Sequence, residues 1–342
     1  MRKSKILIII LVILLIPCAI YELGQWRERL TTPPDADSEE KILLRLANDL
    51  NKDHVSSQAC DRFAQLVKER SEGRIEIHTY HGGQLGSQAE AVDQIWFGGI
   101  DFARISLMSL EEKVPVTDAF AVPYLFEDSD QLWEVLEGSV GEKLGGILEE
   151  NGYIPMFYED AGLQSIYSCR PIQTLADLEG LRVRVSDNRV AQATIEALGA
   201  VPVSMPWMEV YDALQNGVID GAADNLVSYF QADHDAVAPF YTRSVHAAVP
   251  DIVIASGITF SDLSPEDQAL IRECGREAGL WQREAWKMAE QEALTAAAAS
   301  EEISVSTLQD LADWEAAAGE CYQKILPPEA LELLADIRAL LA

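Results

Sequence analysis

From Ser264 to about Ala299 the sequence reads as one continuous helix, and that stretch constrains the fold more than any other. Ser264 is a capping residue, Pro265 occupies a first-turn position where a missing N–H costs nothing, and Glu266 and Asp267 put acids at the positive end. No proline follows, and Gly275 and Gly279 are the only interruptions. Some ~30 helical residues span ~45 Å at 1.5 Å per residue, longer than one domain is wide. The expectation is a helix that bridges two lobes.

Upstream, short apolar strands alternate with amphipathic helices. Ile42–Ala47 reads as a strand. Ser56–Ser71 is a helix with Ala59, Phe63, Leu66 and Val67 on one face, and Arg74–Tyr80 alternates Ile75 and Ile77 against Glu76 and His78. Gly82-Gly83 breaks the pattern, Ala89–Phe97 is a second helix, and Ile100–Leu107 a third strand. The rhythm returns later, with strands expected at Leu181–Val185, Val201–Val203 and Val218–Ala223 and helices at Asn188–Leu198 and Pro206–Gln215. Such alternation implies a largely parallel sheet covered by helices. Leu308–Leu341 gives shorter helices divided at Pro327-Pro328.

With 342 residues, 48% hydrophobic and 24% charged, the chain has room for two domains with real cores. Its 56 acidic residues against 26 basic ones give a net charge of -30, which repels phosphates and anionic headgroups and argues against a nucleic-acid partner. Arg2, Lys3 and Lys5 precede an apolar run from Ile6 to Ile16, short for a bilayer span and suited to a signal peptide. Cys18 raises lipidation, although Pro17 stands where a small residue is expected, and extension through Ile20 and Tyr21 would make a retained anchor. In each case the bulk of the chain is expected outside the cytoplasm, in the periplasm or an equivalent space. Residues 27–40, with Pro33-Pro34 and no apolar period, read as a linker. Cys60, Cys169, Cys274 and Cys321 show neither CxxC nor metal-type spacing; they are either paired or buried free thiols.

The order of several segments resembles the substrate-binding subunit of tripartite ATP-independent periplasmic (TRAP) transporters, of the dicarboxylate-binding type. FAQLVKERSEGRIEIHTYHGGQLG (63–86), GGIDFARIS (98–106), AVPYLFED (121–128), RPIQTLADLEGLRVRV (170–185) and ALGAVPVSMPWMEVYDALQNGVIDGAADN (197–225) carry it, over about residues 42–340. The resemblance implies an α/β, two-lobed periplasmic-binding-protein-like fold with a hinge and a long helix spanning both lobes. Residues 41–161 plus 250–285 are then lobe I, and 162–249 plus 286–342 lobe II. It implies a protein that closes over a small organic acid and delivers it to membrane subunits driven by an ion gradient. The alternatives are a ligand sensor for a signalling system, with the same site, or an exported enzyme of unknown type.

Arg184 is the leading site candidate. In LRVRV it shares a face with Arg182, opposite Leu181, Val183 and Val185. A strand between helices is apolar on both faces, so an Arg near its carboxyl end is out of place unless used, and ligands of open α/β sheets sit at such ends. Its planar fork grips a carboxylate through two charge-assisted hydrogen bonds. The family's carboxylate-binding Arg falls at this position. Asn225, at the end of DGAADN, is expected to meet ligand oxygens, or else to cap a helix. Asp224, in place of a frequent Glu, is expected to orient Arg184 or meet a hydroxyl. Trp207 and Tyr211, four apart on one helix, are expected to wall the pocket.

Gln164 stands where many relatives carry a second Arg. It cannot neutralise a second charge, so a hydroxylated monocarboxylate is expected rather than a diacid. Asp160 is a candidate acceptor for an amine or hydroxyl, and Ser106 and Gln84, at strand-end turns, are candidate contacts across the cleft. His78 and His81 point to opposite faces of a strand and do not suggest a metal site, and His246 is read as structural. No metal or cofactor is implied. GxSxG, GxxxxGK[ST], HExxH and GxGxxG motifs are missing from the sequence, so an enzyme is not expected.

Overall fold

The computed structural model describes residues 41–308 and 310–342. The expected signal peptide or anchor (1–26) and linker (27–40) lie outside the described residues. The strands, in chain order, are β1 (Ile42–Asn48), β2 (Ile75–Tyr80), β3 (Phe102–Ser106), β4 (Tyr153–Glu159), β5 (Gln164–Ser168) and β6 (Arg182–Val185). They continue with β7 (Val201–Ser204), β8 (Gly221–Asp224), β9 (Phe240–Ala247), β10 (Asp251–Ser256) and β11 (Ser304–Thr307). Two sheets form, ordered β2-β1-β3-β10-β4 and β11-β9-β5-β8-β6-β7.

Both sheets are mixed, which corrects the expectation of a largely parallel arrangement. β1 is parallel to β3, but β10 is antiparallel to β3 and β4. In the second sheet β6 is parallel to β7 and β8, and β11 to β9, while β5 is antiparallel to β8 and β9. The cause is connectivity. Between β4 and β5, and again between β9 and β10, the chain passes from one sheet to the other with no returning helix. A parallel neighbour needs a crossover connection, and these short passages do not supply one. Strain collects there: Val245, a β-branched residue on β9, adopts φ 42° beside an irregularity in the β5–β9 register.

Apolar residues from β3 and β10, such as Ala103, Ile105, Ile252 and Ile254, build the first sheet's core with Val135 and Leu144 from neighbouring helices. The second sheet is covered on two sides. Tyr167, Ala222 and Tyr241 pack in one cluster, and Ile166, Val183 and Ala223, their alternating neighbours, in another. Val190, from the helix after β6, is buried in the first sheet's cluster and ties the lobes together.

The long helix runs from Pro265 to Ala299, 35 residues, or about 52 Å. Ser264 caps it by accepting from the Asp267 amide at 3.1 Å, and Asp267 accepts from Arg74 at 2.9 Å. Gly275 and Gly279, read above as interruptions, are contact points. A Cβ on Gly279 would lie 2.9 Å from the Phe157 Cβ, and one on Gly275 3.2 Å from the Met156 carbonyl oxygen. Their absence lets the helix lie directly on β4. Further along, Ala285, Trp286 and Ala293 enter the core of the second sheet. Where the helix passes between the two, buried Gln282 accepts from the Asp160 amide and donates to the Asp160 carbonyl, each at 2.8 Å.

Smaller departures have local causes. The predicted helix at Pro206–Gln215 divides into a 3₁₀ turn, Trp207–Glu209, and a helix, Val210–Gln215. The strand expected from Val218 begins at Gly221, because the amides of Val218 and Ile219 both return to the Ala213 carbonyl and close the preceding helix. Cys60, Cys169, Cys274 and Cys321 are free thiols, the first and third buried.

Candidate functional site

A cleft of about 620 Å³ opens between elements of the two sheets, a size suited to a small organic molecule. One wall comes from Asp49 after β1, the loop and helix start over 82–93, and residues 109–113. The other comes from Arg184, Ser186 and Asp187 at the end of β6 and from residues 204–209 after β7. The site lies at carboxyl ends of strands, where the helices that follow present their N-termini.

Arg184 is 5% exposed. Its Nε donates to the Met205 carbonyl at 3.1 Å, and its guanidinium carbon lies 5.5 Å from the centre of the Trp207 ring. One outer nitrogen stands 3.7 Å from Asp224, an ion pair too long for a hydrogen bond. The outer nitrogens, the pair that would fork onto a carboxylate, therefore have no hydrogen-bonding partner among the described residues. Arg182, two residues earlier on the same face, is tied at 2.8 Å to Asp220, and its side chain is 43% exposed. Burial pushes the Asp224 carboxyl above its usual value, with Arg184 and the Asn225 amide pulling the other way.

Beside Arg184, the cleft is lined by Asp49, Glu90, Asp93, Glu111, Glu112, Asp187 and Glu209, with Lys113 as a second cation. Lys113 is held at 2.7 Å by Asp93. Glu111 accepts at 2.9 Å from the Asn188 amide group and from the Arg189 backbone, and burial raises it to about 7. Asp118 accepts from the same Asn188 at 2.9 Å, so this helix start after β6 is clamped to the first lobe.

A model of the bacterial extracellular solute-binding proteins, family 7, matches residues 46–327. The chain belongs to that family. It is 30% identical over 292 residues to a solute-binding protein of Chromohalobacter salexigens, covering 83% of this chain and 85% of the relative. A TRAP periplasmic solute-binding protein from Sulfitobacter sp. NAS-14.1, solved with bound β-D-galacturonate, superposes with a TM-score of 0.84 at 32% identity, covering 87% of this chain and 99% of that one. One from Sulfurospirillum deleyianum, solved with succinate, superposes with a TM-score of 0.83 at 26% identity, covering 88% and 99%. The resemblance read from the motifs is borne out, and with it the two-lobed α/β fold and the solute-binding role of the family.

Of the predicted site residues, the structure brings Arg184 and Trp207 together in the cleft. Asp224 stands behind Arg184 as its ion partner. Asn225 caps a helix: its Oδ1 accepts from the Ser228 amide at 2.7 Å, and its side-chain amide donates to Asp224 and Ser228. Ser228 in turn meets His54 across the lobes at 3.2 Å. His54 accepts from the Ser56 amide through Nδ1, so Nε2 carries its hydrogen, and burial lowers it to about 3 and keeps it neutral.

Tyr211 and Trp207 both face His234, at 6.3 and 4.8 Å between ring centres, but Tyr211 is not among the cleft residues. Gln164 lines a separate small cavity with His246, Thr194 and Ser186. Asp160 sits at the β4–β5 passage, where Trp133, Ser129 and the Gly162 amide occupy its carboxylate. Gln84 is exposed beside glycines that do line the cleft, and the Ser106 amide donates to Gln88 at 2.8 Å. Sequence reasoning missed Asp49, Gln88, Glu111 and Lys113. The strand-end rule that found Arg184 also points to Asp49, one residue beyond β1.

Proposed function

We propose that this protein captures a hydroxylated monocarboxylic acid outside the cytoplasm, closes its lobes over it, and passes it without chemical change to TRAP membrane subunits. The observation that carries this reading is Arg184: a nearly buried guanidinium of the cleft lining whose outer nitrogens have no hydrogen-bonding partner among the described residues. An ionised carboxylate satisfies both at once, and charge-assisted bonds of about 1.5–3 kcal/mol each favour acids over neutral analogues. Trp207 supplies an apolar wall against the guanidinium, and Asp224 holds its orientation. Among the described residues, the one other cation of the cleft lining is Lys113, which is already neutralised by Asp93, and this supports a single acid group on the ligand. Galacturonate, bound by the relative from Sulfitobacter, has that chemistry: one carboxylate and several hydroxyls.

Hinge closure in this reading turns on the two strand passages near 160–163 and 248–250, with the lobes divided as 41–161 plus 250–285 and 162–249 plus 286–342. The family's periplasmic setting and the basic, apolar N-terminus support export. The test is a thermal-shift and calorimetric comparison of D-galacturonate with succinate. Galacturonate is expected to bind more tightly, and Arg184→Ala to lower its affinity about 100-fold or more with the ligand-free melting temperature retained. Tighter binding of the dianion, or undiminished binding by the variant, overturns the reading.

A further inference from the structure

Behind Arg184 a row of hydrogen bonds leads away from the cleft. It begins at Asp224, whose Oδ1 accepts from the Asn225 backbone at 2.8 Å and from the Asn225 side chain at 2.9 Å. Its Oδ2 is the oxygen that stands 3.7 Å from the guanidinium. The Asn225 side chain has one orientation open to it. Its Oδ1 accepts from the Ser228 amide at 2.7 Å, so its NH₂ group faces Asp224 and the Ser228 hydroxyl, the latter at 3.0 Å.

The Ser228 hydroxyl has a second contact, with a residue that follows β1 of the other sheet: His54 Nε2 lies 3.2 Å from it. His54 is 4% exposed and caps the helix Val55–Arg70. Its Nδ1 accepts from the Ser56 amide at 3.1 Å, which leaves the hydrogen on Nε2 and makes the ring a donor to Ser228. The long helix backs this arrangement, with the Trp286 ring centre 6.1 Å from that of His54 and Gln282 Nε2 3.4 Å from the Ser56 hydroxyl. Capping uses Nδ1 alone, and a serine, asparagine or aspartate would do it as well. What the imidazole adds is a second, buried nitrogen that reaches the far side.

We propose that His54 is a positioning residue for the ligand's acid group: it fixes the Ser228 hydroxyl and, through Asn225 and Asp224, sets where the open fork of Arg184 points. The assignment rests on the Arg184 reading above and adds to it a means by which one lobe controls the grip of the other. A bidentate contact depends on the plane of the guanidinium, and a plane is held only as well as the groups behind it.

The experiment measures the affinity of the full-length protein and its variants for D-galacturonate by calorimetry; succinate replaces it if succinate binds more tightly. Two substitutions separate the nitrogens of the ring. His54→Asn puts an oxygen near the place of Nδ1, keeps the cap and loses the reach to Ser228. His54→Gln puts an amide nitrogen near the place of Nε2, keeps that reach and gives up the cap. His54→Asn is expected to weaken binding about 3- to 10-fold with the ligand-free melting temperature nearly unchanged. His54→Gln should melt lower yet bind within about twofold of the parent. In Ser228→Ala protein, which should itself bind about 3- to 10-fold more weakly, His54→Asn should add less than about twofold, because the shared oxygen is gone.

The opposite pattern, binding kept by His54→Asn and lost by His54→Gln, would make His54 a helix cap and overturns the assignment. Equal losses in both variants overturn it too, as does a full further loss from His54→Asn in Ser228→Ala protein. If neither His54 variant folds, Ser228→Ala carries the test, and undiminished binding there is the overturning result. Undiminished binding by Arg184→Ala overturns instead the reading on which the assignment rests.

Discussion

Arg104 and Arg184 are near equivalents in the two lobes. Each sits on a strand of its sheet, each is flanked by apolar neighbours, and they are 4% and 5% exposed. Their partners separate them. Arg104 is surrounded by Asp49, Glu159 and Asp251, contributed from the ends of β1, β4 and β10. Arg184 has one distant carboxylate, one carbonyl and a tryptophan face. The fork of Arg104 is engaged by the protein's own carboxylates, whereas that of Arg184 is the one the proposal above gives to a ligand.

The comparison can be broken from either side. The largest effect is expected from Arg104→Met. Removing the cation strands Glu159 and Asp251 in the interior and should lower stability by about 3–5 kcal/mol, read from urea unfolding. Any folded fraction should still bind acid through Arg184; loss of binding in folded protein would mean that the two arginines act as one site.

Arg184→Lys comes next. The charge remains but the planar fork is lost, so acid affinity should fall about 10- to 100-fold by calorimetry, with ligand-free stability changed by less than about 1 kcal/mol. A stability loss as large as that of Arg104→Met would make Arg184 a structural residue after all.

The smallest effect is a slope. Burial raises the Glu159 carboxyl above its usual 4.5, against the pull of Arg104. The folded state thus binds more protons than the unfolded state in the window above 4.5, and this group's contribution to stability falls as pH rises through it. Melting temperatures from pH 4.5 upward should decline less steeply for Glu159→Gln than for the parent. Parallel curves would show that Arg104 already compensates Glu159 in full.

The same pair marks how far the sequence could be read. Arg184 was legible because LRVRV puts a charge where a covered strand should be apolar. FARIS does the same at Arg104, and nothing local distinguishes the two. The three carboxylates that settle the matter arrive from positions 49, 159 and 251, and no period or spacing connects them. The long helix was legible almost to the residue, since caps and periodicity are local, yet its glycines revealed their purpose only against β4. The crossing strands β4, β5, β9 and β10 went unread, and with them the mixed sheets. Their pairing is set by partners far along the chain; β10, DIVIAS, is buried throughout and shows no alternation. Asn225 and Asp160 were chosen for their chemistry, but the structure already gives both side chains protein partners: Asn225 accepts from the Ser228 amide and donates to Asp224 and Ser228, and Asp160 accepts from Trp133, Ser129 and the Gly162 amide.

The carboxyl groups around the cleft mouth bear on kinetics. An approaching anion meets a repulsive field before it reaches the guanidinium, and a doubly charged one meets it twice over. Added salt screens that field over a Debye length of about 8 Å at physiological ionic strength. Capture should therefore quicken with ionic strength instead of slowing as it does for oppositely charged partners, so that the entrance itself filters by valence before any contact is made.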